Sequence, residues 1–403
     1  MPEFASSAAM PTRRFGRTEF SMPVFSCGGM RYQHAWQDKN REEIPSDSQA
    51  NVEACIKRAI ELGIRHIETA RGYGTSELQL APALKKYPRD AILVQTKVGP
   101  RAEGAEFTET VHKSLGLLEV DYVDLLAVHG INTREILDQC MAPGGTLSAA
   151  IKLKKEGKCR AVGFSTHGPM DAIVAAIETD VFDYVNLHWY FVNEINWPAI
   201  EAATRHDMGV FIISPNDKGG KLYEPTPRMI ELCAPLTPMQ FNDLYCLSRS
   251  NVHTLSLGAS RPSDFDEHVA GLKWYENRNE ITREIAMRIH QAMGDALGRD
   301  WSTRWMQGLP EWKQVPGHIN IWEIVRLWNY ATALGMESFA KMRYNLLGQG
   351  DHWFPGKNAG EFDERAILEC LSGYPFADRI PALLRDAHRR FHEAPKKRLS
   401  ESE

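Results

Sequence analysis

The chain has 403 residues, of which 43% are hydrophobic and 25% charged, with a formal net charge of -5. That is an ordinary soluble composition, too long for one typical domain and without the basic excess that a nucleic-acid surface requires. The seven cysteines, at 27, 55, 140, 159, 233, 246 and 370, are scattered and form no CxxC pair, which argues against a zinc ribbon or ferredoxin-type cluster and suits reduced thiols in the cytoplasm.

From the start, residues 1–14 lack the apolar stretch of a signal peptide, and no long uncharged run is present for a membrane span. Residues 1–11 read as a flexible leader, with Met10 an alternative start. Residues 12–22 form a hairpin pattern around Gly16 and Thr18, leading into a strand at 23–27 that ends in Gly28, Gly29 and Met30. Adjacent glycines after a strand make a tight turn, or let a ligand approach the backbone closely.

From there the pattern alternates. Helices at 51–62, 76–86, 108–118, 147–156, 169–179 and 197–206 interleave with strands at 65–68, 92–97, 122–128, 160–164, 184–187 and 209–213. Repeated β/α units argue for a parallel sheet. With a last strand at 253–257 and the strand at 23–27 as the first, the count reaches eight, the number that closes a (β/α)8 TIM barrel with its site at the carboxyl ends of the strands. The expected barrel spans 12–272. Residues 273–395 read as a helical extension, with helices at 280–297, 322–334, 337–346, 367–371 and 381–394, and 396–403 as a loose charged tail.

Three successive strands end on polar groups. Glu68 closes one, followed through a glycine-flanked turn by Tyr73; Lys97 closes the next; His129 closes the third. Each alone has an ordinary structural explanation, as a solvated strand end or packed loop residue. Their recurrence at equivalent places points to acid–base chemistry, in which a phenol with an ordinary pKa near ~10 needs a nearby cation to ease its ionisation.

These four residues resemble the catalytic tetrad of the aldo-keto reductases, (β/α)8 barrels that reduce carbonyls with a nicotinamide cofactor. Over about 12–272 further stretches match in order: 157–165, which ends in Phe164 and Ser165, then Val210 to Ser214 and Pro215, then Gly258, Ala259, Ser260 and Arg261. The extension is similar to that of the branch related to iron–sulfur aldo-keto reductases, but residues 305–315, where the cluster cysteines would precede Pro316, contain none, so no cluster is expected.

What the resemblance implies is specific. Tyr73 is the general acid, Lys97 stabilises the developing phenolate, Glu68 holds the lysine and His129 orients the carbonyl oxygen. Gly28, Gly29 and Met30 line the cofactor path, Ser165 and Asn186 meet the carboxamide, and Ser214 with Lys218 follows the pyrophosphate. Gly258, Ser260, Arg261, Asp264 and His268 form the adenosine end. A serine and an arginine there suit the 2′-phosphate of NADP(H), with NAD(H) as the alternative. Three departures stand out: Glu68 replaces the usual aspartate, displacing the charge by roughly an ångström; Ile213 replaces an aromatic residue that stacks on the nicotinamide; Thr166 replaces an asparagine.

The implied substrate is a small aldehyde or ketone, with Trp189, Tyr190, Phe191, Trp197 and Tyr223 as candidate pocket or packing aromatics and His352-Trp353-Phe354-Pro355-Gly356 as a candidate cover for the mouth. No metal, nucleic acid or membrane partner is implied, and the oligomeric state is not specified. Two other readings stay open: a nicotinamide-binding redox sensor with weak turnover, and a lyase or hydrolase barrel using Lys97 and Glu68.

Overall fold

The computed structural model describes residues 10–348 and 355–393. Residues 1–9 of the expected leader, the His352, Trp353 and Phe354 stretch, and the expected tail lie outside the described residues. The chain divides into two units. The first contains 10–219 and 242–278; the second contains Gly220–Phe241 and the described part of 279–397.

The first unit is the expected closed barrel. A short antiparallel hairpin, β1 (Thr12–Arg14) with β2 (Ser21–Pro23), precedes eight parallel strands. These are β3 (Phe25–Gly28), β4 (His66–Glu68), β5 (Leu93–Val98), β6 (Val123–His129), β7 (Cys159–Ser165), β8 (Tyr184–Leu187), β9 (Gly209–Ile212) and β10 (Thr254–Gly258). They close in chain order, β10 pairing with both β9 and β3. The sequence pattern located every one of them to within two residues. It missed the helix Arg134–Met141, whose start is marked by Thr133 accepting a bond from the Ile136 amide at 3.3 Å.

Strand alternation sorts the side chains into inner and outer sets. At the amino ends of the strands the hairpin supplies Phe15, Phe20 and Met22, which pack with Leu125, Ala127, Ala161, Tyr184 and Phe211 in one apolar cluster. Gly16 makes this plug possible: its φ is +53°, and a Cβ there would lie 2.4 Å from the Gly209 nitrogen. Further along the barrel the filling turns polar. Ser26 Oγ lies 2.7 Å from both His66 Nδ1 and Thr254 Oγ1, and one step beyond come Glu68, Lys97 and Ser256. With its base sealed by aromatic side chains, the barrel presents its polar groups at the carboxyl ends.

The second unit is helical. Its centre is Ile321–Leu334, capped at its start by Asn320, whose side chain accepts from the Glu323 amide at 3.0 Å, and closed by Gly335 at φ +72°. Helices Glu337–Tyr344 and Ile380–Phe391 pack on it through residues including Phe339, Tyr344, Leu384 and Phe391, all buried. Gly220–Phe241, expected within the barrel span, groups here because Thr226 Oγ1 donates to the Leu334 carbonyl at 2.8 Å and Lys221 Nζ to Ser338 Oγ at 2.6 Å. No helix among the described residues is long and apolar enough to cross a membrane.

Candidate active site at the carboxyl ends of the strands

The turn after β4 is built to hold Tyr73. Gly74 has φ +52°, and a Cβ there would fall 2.0 Å from the Ala35 carbonyl oxygen, so only glycine fits directly behind the tyrosine. Arg71 fixes the other flank: it bonds Asp38 and donates to the fully buried Glu77 at 2.6 Å, while Glu77 also accepts from Thr96 Oγ1 at 2.6 Å. A buried carboxylate needs such partners, since an unpaired one costs several kcal/mol, roughly 3–5 when a buried pair is broken.

Glu68 and Lys97 form a buried ion pair, with only 3% and 2% of their surface exposed. Lys97 Nζ also donates to the Thr69 carbonyl at 2.8 Å, and the second oxygen of Glu68 accepts from Ser256 Oγ at 3.3 Å. The extra methylene of Glu68 is accommodated by Gly28, which lies between β10 and β4 in register. A Cβ on Gly28 would sit 2.7 Å from Ser256 Oγ and 3.3 Å from Glu68 Oε2. Lys97 Nζ stands 4.8 Å from the Tyr73 ring centroid, and the His129 ring meets the Tyr73 ring edge-on at 5.8 Å. Thus the structure brings all four predicted acid–base residues together.

Burial sets their proton chemistry. It pushes the Tyr73 phenol above its ordinary range and the Lys97 ammonium below the ordinary amine range. His129 falls to about 3, through burial first and the Lys97 charge second, so it is a neutral imidazole at working pH. The phenol hydroxyl makes no hydrogen bond among the described residues, leaving its proton available.

On the opposite side, the Ser165 carbonyl accepts from the Gly130 and Ile131 amides at 2.9 and 3.0 Å, fixing the loop after His129. Asn186 is fully buried beside Ser165 in register, and both atoms of its amide lack a partner among the described residues. An amide donor and acceptor held dry and unpaired match the needs of a carboxamide. Ser214, next to Ile213, holds a left-handed φ of +53°, a strained conformation of the kind found at ligand contacts. Three predicted cofactor segments meet at Arg31, which follows Gly28, Gly29 and Met30, lies where a Cβ on Gly258 would come within 3.2 Å of its Cδ, and pairs with Asp217 at 3.5 Å.

In the segment expected to form the adenosine end, Arg261 is largely exposed and pairs with Asp264, whose carboxylate also accepts from the Ser260 amide at 2.9 Å. His268 is buried, hydrogen-bonded to Asp243 and 3.0 Å from Asn216 Nδ2. Its ring is therefore engaged within the protein. Of the candidate aromatics, Trp189 packs on Tyr245 and Trp197 at 5.4 and 5.3 Å, and Phe191 meets Tyr245 at 5.2 Å, so these serve packing. Tyr223 belongs to the second unit and is 44% exposed. Among the described residues no group of three or more His, Cys, Asp or Glu is arranged to hold a metal.

Sequence reasoning missed Ser256, Thr69 and the histidines His167 and His188. The signal for the histidines was available: each lies two residues beyond an inward-facing residue, Ser165 and Asn186, and so continues the same alternation.

Residues 25–224 match the Aldo/keto reductase family. The chain is 35% identical over 141 residues to an L-galactose dehydrogenase of Arabidopsis thaliana, covering 33% of this chain and only 40% of that protein. It is 28% identical over 255 residues to an aldo-keto reductase of Mycobacterium avium, covering 62% and 80% of the two. In fold it resembles the holo form of an aldo-keto reductase from Bacillus halodurans, with a TM-score of 0.57 at 21% identity over 68% of this chain and 96% of that one. Residues 25–224, which carry seven of the eight barrel strands, match an aldo/keto reductase family domain, and the fold of the barrel agrees with it.

Proposed function

We propose that the protein is an NADP(H)-dependent oxidoreductase that reduces the carbonyl of a small aldehyde or ketone, or oxidises the corresponding alcohol. The observation that carries this reading is the buried Glu68–Lys97 pair set against the Tyr73 ring with His129 edge-on to it. Gly28, Gly29, Met30, Ser165, Asn186, Ser214 and Lys218 would hold the cofactor, and the unpaired Asn186 amide fits its carboxamide. When bound, the cofactor supplies hydride to the carbonyl carbon.

The protein's own groups handle the proton. Tyr73 gives its phenolic proton to the carbonyl oxygen. A phenolate in this half-buried place is costly, and a cation about 5 Å from the ring centre at an effective dielectric near ~20 returns roughly 3 kcal/mol before the opposing Glu68 charge is counted. Glu68 keeps Lys97 charged despite its burial, and Ser256 and Thr69 keep both in place. His129, being neutral, acts as a hydrogen-bond donor that aims the carbonyl oxygen at Tyr73.

Arg261 supports NADP(H) over NAD(H) by offering a guanidinium to a 2′-phosphate, while Asp264 beside it works against that choice. A reducing cytoplasmic compartment suits seven cysteines of which none is paired. One observation favours a redox sensor with weak turnover: Lys97 spends hydrogen bonds on Glu68 and Thr69 and none on the phenol. Fluorescence titration with NADPH and NADH, followed by a panel of aldehydes, ketones and quinones, tests both. Tight NADPH binding with turnover supports the reductase; tight binding without turnover supports the sensor.

A further inference from the structure

Beyond the strands that carry Ser165 and Asn186, a hydrogen-bonded chain joins three segments of the mouth. Tyr190 OH bonds the Ile213 carbonyl; His188 Nδ1 lies 2.5 Å from Tyr190 OH; His188 Nε2 lies 2.6 Å from His167 Nδ1 and 3.4 Å from Lys218 Nζ. The two imidazole centroids are 4.8 Å apart with 20° between the ring planes. His188 is 6% exposed and Tyr190 1%, so the chain is shielded from water.

The direction of each bond follows from the fixed ends. A carbonyl only accepts, so the Tyr190 hydroxyl donates to Ile213 and its oxygen is left to accept from His188 Nδ1–H. An imidazolium at His188 would face the Lys218 ammonium, so the neutral ring is favoured, and its Nε2 lone pair accepts from His167 Nδ1–H and, more distantly, from Lys218. His188 is thereby locked in one tautomer and one orientation. It is anchored from behind as well: Asn196 Nδ2 donates to its carbonyl at 2.9 Å, and the His167 amide donates to Asn132 Oδ1 at 2.7 Å.

We propose that His188 is a positioning residue for the nicotinamide cofactor, fixing through Tyr190 and His167 the relative places of Ser165, Asn186 and Ile213. This rests on the cofactor reading above. It adds that the nicotinamide side of the mouth is held by a neutral relay centred on one histidine. Ser165 is two residues from His167, Asn186 two from His188, and the carbonyl gripped by Tyr190 belongs to Ile213 itself. A loose His188 would free three separate loops at once, and each would have to be ordered again when the cofactor binds.

The test uses the full-length protein as wild type, His188→Gln, His188→Asn and Tyr190→Phe. NADPH affinity is measured by fluorescence titration, kcat and KM for NADPH with one aldehyde, and thermal midpoint without nucleotide. Removing one or two neutral hydrogen bonds is expected to raise Kd and KM for NADPH about tenfold in Tyr190→Phe and His188→Gln, with kcat at saturation within about twofold. His188→Asn, whose amide nitrogen stands in for Nδ1 and keeps a donor toward Tyr190, recovers part of the loss. The double variant Tyr190→Phe with His188→Gln is no weaker than the worse single, since both break one chain. A lowered thermal midpoint with unchanged NADPH affinity would overturn the assignment. If the His188 variants do not fold, Tyr190→Phe, which removes one oxygen, decides alone. A wild type that binds neither nucleotide overturns the assignment together with the cofactor reading, and is told apart because the failure appears before any substitution.

Discussion

On the β4–β6 side of the barrel mouth the polar groups are held by a buried ion pair, whereas on the β7–β9 side they are held by hydrogen bonds among uncharged side chains, with the Lys218 ammonium 3.4 Å from His188 at the edge. Glu68 and Lys97 are a buried ion pair whose further contacts, to Ser256 and Thr69, satisfy what the pair leaves over. Asn186, His188 and Tyr190 are equally buried yet carry no formal charge, and the Asn186 amide is left unpaired. The difference matches the work proposed for each side. A developing phenolate needs a cation prepared in advance, while a carboxamide needs a dry donor and acceptor in fixed places.

Substitutions can break this comparison one side at a time. The largest expected effect is at Lys97. Lys97→Met alone strands a buried carboxylate and should destabilise the protein by roughly 3–5 kcal/mol. Combined with Glu68→Gln, it should fold, bind NADPH and lose turnover by a factor on the order of 10²–10³, read in steady-state kcat. Asn186→Ala acts on the other side: NADPH affinity, measured by titration, is expected to fall about tenfold with kcat at saturation little changed. Glu68→Asp restores the shorter acid but withdraws it from Ser256, and a kcat loss of a few-fold, about 1 kcal/mol or less, is expected if Gly28 and Ser256 are fitted to the glutamate. Ser256→Ala should then cost much less in the Glu68→Asp background than in the wild type, a coupling that a double-mutant cycle measures.

A separate effect, on folding and not on turnover, is acid stability. His66 and His129 both titrate at about 3, through burial first and the Lys97 charge second, and His253 at about 4, through burial first and the Arg13 charge second. Their unfolded values lie near ~6.5, so below that pH the unfolded chain binds more protons. The stability these rings contribute is fully present above about 6.5 and is lost as pH falls toward 3. Thermal midpoints should decline from pH 7 to pH 4, and His66→Gln should make the decline shallower.

Much of this was legible because the informative residues repeat at one structural address. Glu68, Lys97 and His129 each sit at the end of a short apolar run, and a strand end in an α/β chain is where function collects. The eight strands were legible from the alternation of 2-periodic and 3.6-periodic runs. What escaped were features made by distant contact. The grouping of Gly220–Phe241 with the later helices depends on Thr226 reaching Leu334, 108 positions away. Ser256 meets Glu68 only because the glycine between their strands has no side chain. His167 and His188 followed a visible alternation, but the bond between them exists only once β7 and β8 are neighbours.

The central claim is that Tyr73 is the proton donor in a nicotinamide-dependent reduction. Its most direct test is NADPH affinity and carbonyl turnover measured on the same preparations of wild type and Tyr73→Phe. The account predicts NADPH affinity within about twofold and turnover lower by a factor on the order of 10²–10⁴ in the variant. A Tyr73→Phe protein that binds NADPH and reduces carbonyls at the wild-type rate would contradict it.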